Sequence, residues 1–77
     1  MKFKEFRDSV LKAIEEKPEH YRNGQAAYNF IDEKYKVARD VQFGIGIDCF
    51  YDDEKIDKFI ELSYECYKTT SRYDKSQ

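Results

Sequence analysis

Ile56-Asp57-Lys58-Phe59-Ile60-Glu61-Leu62-Ser63-Tyr64-Glu65-Cys66-Tyr67 is the most regular stretch of this chain. Ile56, Phe59, Ile60, Ser63, Tyr64 and Tyr67 recur at intervals of three and four, which places them on one stripe of an α-helix, and Leu62 and Cys66 broaden that stripe. A helix with so wide an apolar face must bury it against other elements, so the fold depends on what the rest of the chain offers. Immediately upstream, Asp52, Asp53 and Glu54 occupy the expected first turn, where carboxylates accept from unpaired N–H groups and complement the helix dipole.

Two further segments carry the same periodicity. From Lys2 to Lys17, Phe3, Phe6, Val10, Ala13 and Ile14 share a face widened by Leu11, and Pro18 fits the end of the segment. After the polar stretch 18–24, Ala27, Phe30, Ile31 and Tyr35 predict a helix from about Gly24 to Lys36, with Asn23 as its N-cap. Residues 37–41 either extend this helix or form a separate short turn. The expected fold is therefore all-α, a small bundle of three main helices with a long ordered connection, about Val41 to Tyr51, between the second and third. Residues 1–68 form a single helical domain in this reading, and the aperiodic polar tail 69–77 frays.

The composition agrees with one small domain. Of 77 residues 40% are hydrophobic and 17% aromatic, so each of the few core positions can bury a large side chain. A formal net charge of -2 supplies no overall field toward nucleic acid or an anionic membrane. No apolar run approaches the roughly 20 residues of a membrane span, and the charged MKFKEFRDSV has no signal-peptide core, so a cytoplasmic protein with reduced Cys49 and Cys66 is expected.

The connection holds the oddest residues, Gly44-Ile45-Gly46-Ile47-Asp48-Cys49-Phe50-Tyr51-Asp52-Asp53. It meets neither the P-loop nor the dinucleotide glycine template, and its carboxylates would repel phosphate. Asp48, Asp52, Asp53, Glu54 and Asp57 lack the order of an EF-hand loop. His20, Cys49 and Cys66 have no zinc-ligand spacing, and nothing in the sequence requires His20 to activate Cys49. No enzyme activity, cofactor or metal is expected. The stretch reads instead as a connection in which Gly44 and Gly46 turn the chain, while Ile45, Ile47 and Phe50 pin it to the core.

Buried parts of such a connection need hydrogen-bond partners. Gln25 and Asn29, four apart on one stripe of the second helix, are the expected clamp, together with Asp48. The same polar cluster, with Arg22 and Tyr51, could alternatively serve recognition.

Two blocks, Arg22-x-Gly24-Gln25-x-x-x-Asn29-x-Ile31 and Asp48-x-Phe50-Tyr51-Asp52-Asp53-x-x-Ile56-x-x-Phe59-Ile60, resemble short uncharacterised bacterial and phage proteins. Those proteins carry R-x-G-Q-x-x-x-N-x-L followed by D-P-F-Y-D-D-x-x-I-x-x-F-L. The similarity spans Arg22 to Ile60, with Cys49 standing where that group usually has Pro. It implies an accessory protein of a phage or prophage that acts by binding another macromolecule.

The expected function is thus a non-enzymatic module that docks on a host or phage protein and modulates it. The residues expected to touch the partner are Arg22, Tyr51, Asp52, Asp53 and Asp57, because Tyr is favoured at interfaces and acidic rims steer basic partners. One alternative is a nucleic-acid-binding or nucleic-acid-mimicking protein, suggested by Lys2, Lys4, Arg7 and Lys12 on one hand and the acidic helix start on the other. Another is a self-associating structural component, in which a homodimer buries the surplus apolar face of the third helix.

Overall fold

Phe6 explains why the helices assemble. Its ring lies 4.4 Å from that of Tyr35, 5.4 Å from Tyr64 and 5.9 Å from Tyr67, so one fully buried side chain joins three segments distant in sequence. In this computed structural model the backbone is described for residues 1–76 and side chains for residues 1–69. The fold is all-α, with four α-helices where three were expected: α1 (Phe3–Glu15), α2 (Asn23–Tyr35), α3 (Ala38–Asp40) and α4 (Ile56–Ser76). The additional helix is one turn within 37–41, followed directly by a π-helical turn, Val41–Ile45.

α1 packs antiparallel to α2. Phe6 near the start of α1 meets Tyr35 at the end of α2, while Ala13 and Lys17 share a groove with Ala26. α2 and α4 run in the same direction, as the pairs Tyr28 with Phe59 (5.6 Å) and Tyr35 with Tyr67 (5.0 Å) require. Phe6, Val10, Ala27, Ile31, Phe59 and Ile60 form the inter-helix core, and Val37, Ala38, Val41 and Cys49 add the connection to it. Much of the aromatic content packs here, with Phe30, Tyr64 and Tyr67 around the Phe6 and Tyr35 rings and Phe3 edge-on to Tyr64.

Helix ends follow local chemistry except at two places. α2 begins at Asn23, so Arg22 takes the N-cap position and Asn23 caps nothing. Lys36 ends α2 in the left-handed conformation (φ 63°), its N–H donating to the Ile31 carbonyl at 3.0 Å. Ahead of α4 a 3₁₀ turn spans Asp53–Lys55, and the Asp52 carboxylate accepts from the Glu54 N–H at 3.0 Å, as an acidic helix start should. The backbone of α4 continues helical through Ser76, beyond the domain end expected at Lys68; the side chains of the expected frayed tail from 70 onward, and Gln77, lie outside the described residues. Among the described residues no helix is long and apolar enough to cross a membrane.

Candidate functional site

The connection between α3 and α4 is held by a junction that its sequence does not advertise. Cys49 is completely buried, and its thiol donates to the Gly24 carbonyl at 3.3 Å. The Gly24 N–H donates to the Asp53 carboxylate at 3.1 Å. A side chain at Gly24 would fail, because its Cβ would lie 1.7 Å from the Cys49 carbonyl oxygen. Gly24 is thus a place of close backbone approach between the start of α2 and the connection.

This junction replaces the expected clamp. Gln25 turns back to its own helix start, where its Oε1 accepts from the Arg22 N–H at 3.4 Å. Asn29 lines a different groove, of about 610 Å³, between α1 and α2, and makes no hydrogen bond to the connection among the described residues. At Gly24 the two backbones meet directly, so the connection is bonded there by the Gly24 N–H and carbonyl and not by an amide side chain. Asp48 does hold the connection, though locally, by accepting from the Phe50 N–H at 3.1 Å.

Outside the junction the chain turns its large side chains outward. Phe43 is 79% exposed, Ile45 50% and Tyr51 76%, so Ile45 does not pin the connection to the core as expected. The π-turn accounts for this. Its closing bond runs from the Gly46 N–H to the Val41 carbonyl at 3.2 Å, burying Val41 and leaving the turn's outer residues in solvent. Gly46 adopts φ 87°, a conformation that favours glycine, whereas Gly44 does not require one. Ile47 and Phe50 are half-buried, and Phe50 packs edge-on to Tyr28 at 5.7 Å and to Tyr51 at 4.7 Å.

Tyr28, Gln42, Asp48, Phe50 and Tyr51 enclose a shallow groove of about 320 Å³. Tyr28 donates its hydroxyl to Gln42, which fixes one wall. Burial, with Asp32 adding to it, raises the Tyr28 pKa by disfavouring the phenolate. Arg22 sits over the Tyr51 ring at 6.0 Å, joining two of the sequence-predicted contact residues on one edge.

The other predicted contact residues divide. Asp52 pairs with Lys55 at 4.0 Å beside the groove, and Asp53 is committed to the Gly24 junction. Asp57 lies apart, facing α1, with the Arg7 guanidinium 4.0 Å away. Sequence reasoning missed Phe43 and the contact between Gly24 and Cys49. A glycine in the first turn of a helix, where almost any other residue favours the helix more, was the available signal for the close approach.

The thiols are poor nucleophiles. Burial, with Asp48 adding to it, pushes the Cys49 pKa up to about 12, and burial also raises that of Cys66, with Asp40 and Glu65 contributing. No group of three or more His, Cys, Asp or Glu side chains that could share a metal ion occurs among the described residues. Compared with protein-family models, curated proteins and solved structures, the chain finds no match in any of the three.

Proposed function

We propose that this chain is a non-enzymatic accessory module of a phage or prophage that docks on a host or phage protein and modulates it. The contact edge in this reading comprises Arg22, Phe43, Ile45 and Tyr51. The observation that carries it is the outward display of Phe43 and Tyr51 on a connection anchored at the buried Cys49. Exposed aromatics on an anchored backbone lose little further freedom on binding, which favours association. The phage setting rests on the resemblance of the Arg22 and Asp48 blocks to short phage and bacterial proteins. The high pKa of Cys49 argues against thiol catalysis and so agrees with a binding role.

Capture from a host lysate tests the reading, with wild type compared against Tyr51→Ala and Phe43→Ser. A specific protein should be retained by wild type, and each substitution should weaken retention by about 1–2 kcal/mol, typical of a well-packed aromatic contact. Retention that ignores both substitutions, or no retained protein at low salt, would sink it.

A further inference from the structure

The exposed apolar groups of the connection lie in the most acidic part of the chain. Segment 40–57 holds six of the 16 acidic side chains, Asp40, Asp48, Asp52, Asp53, Glu54 and Asp57, but only Lys55 of the 14 basic ones. It therefore carries a formal charge of -5 within a chain of -2, leaving +3 on the remainder. Hydrogen bonds from the Phe50, Glu54 and Gly24 N–H groups hold Asp48, Asp52 and Asp53 in place without cancelling their charge. Cations offset part of it: Arg7 lies 4.0 Å from Asp57 and Lys55 4.0 Å from Asp52, Arg22 sits over the Tyr51 ring, and the Arg39 charge reaches Tyr28 in the groove wall.

Phe43 and Ile45 belong to the same turn as Gln42, which lines the groove together with Phe50 and Tyr51. Exposed apolar side chains and carboxylates carried by one anchored segment select a partner of inverse design. An anionic lipid surface would be repelled by those carboxylates, as would an anionic peptide. Basic residues flanking an apolar stripe would satisfy both features at once.

We infer that the Phe43–Ile45 turn and the Tyr51 groove, with the carboxylates of 48–54, form a docking surface for a cationic amphipathic segment of a partner protein. This inference rests on the protein-docking reading above and specifies the chemistry of the partner.

The chain contains no Trp, so a peptide of Leu and Lys in helical amphipathic order with a single Trp gives a fluorescence signal that excitation at the red edge of the absorption band separates from the tyrosines. The wild-type protein should bind it, and binding should weaken by about tenfold or more in the Phe43→Ser, Ile45→Ser double variant and again at high salt. The matching Leu and Glu peptide should not bind. Circular dichroism of the double variant should be unchanged, because both side chains are exposed.

Equal binding of the anionic peptide, undiminished binding by the double variant, or no binding of the cationic peptide overturns the inference. So does adsorption of the protein to zwitterionic vesicles through these side chains, or concentration-dependent sedimentation that the double variant abolishes, since lipid or a second copy would then cover the surface. Capture of a host protein that depends on Tyr51 while the cationic peptide fails would leave the docking reading standing and remove only this inference.

Discussion

Gly24 and Ser63 show how much a single atom decides in a core this small. At Gly24, alanine would ordinarily gain about 1 kcal/mol in a helix. Here its Cβ would lie 1.7 Å from a backbone oxygen, so the connection must move away and take the Cys49 and Asp53 bonds with it. Gly24→Ala should therefore destabilise by about 3 kcal/mol or more in urea unfolding, whereas Gly44→Ala, with nothing within 4 Å of its Cβ, should stay within about 1 kcal/mol of wild type. Ser63 is the opposite case. Its hydroxyl is fully buried with no hydrogen-bond partner among the described residues, so it gives up solvation for nothing in return. Ser63→Ala keeps the small volume that lets α4 pack closely and should raise stability by about 1 kcal/mol in the same assay. A drop in stability would mean that the hydroxyl has a partner.

At the scale of elements, the helices were legible and the connection only partly so. α1, α2 and α4 follow from periodicity because each apolar stripe depends on its own residues alone. The fourth helix and the π-turn depend on Val37, Ala38 and Val41 reaching a core built by other segments, which no local pattern encodes. The same distinction explains the cap of α2. A search for a local cap points to Asn23, but the acceptor for the Gly24 N–H arrives from Asp53, 29 positions later. Arg22 and Tyr51 were legible as exposed residues, whereas their approach to one another depends on that long-range bond. Asp53 thus ties α2 to the start of α4 while placing a negative charge at the positive end of the α2 dipole. Asp53→Ala should cost about 1–2 kcal/mol, measured by urea unfolding, and hydrogen exchange should accelerate at the first N–H groups of α2. Asn23→Ala should leave both quantities nearly unchanged, since its side chain caps nothing.

For the whole molecule, the buried Cys49 thiol couples stability to alkaline pH. The folded state holds its pKa near 12, against 9.0 for an ordinary thiol, because burial and the neighbouring Asp48 disfavour the thiolate. A pKa raised by folding means that the native state binds this proton more tightly than the unfolded chain does. The resulting stability is fully present below pH 9.0 and declines as pH rises toward about 12. Between those limits one such group removes up to about 1.4 kcal/mol per pH unit. Other titrations overlap this window, since the pKa values of Tyr28 and Cys66 are raised in the same sense. Comparison with Cys49→Ala isolates the one group, since the remaining titrations are common to both proteins. Cys49→Ala should be less stable than wild type at neutral pH, through the lost volume and the lost bond to Gly24, yet fall less steeply above pH 9.0. Parallel stability curves for the two proteins across that window would show that the thiol ionises without opening the junction. The Cys49 contact would then not be what anchors the connection behind Phe43 and Tyr51.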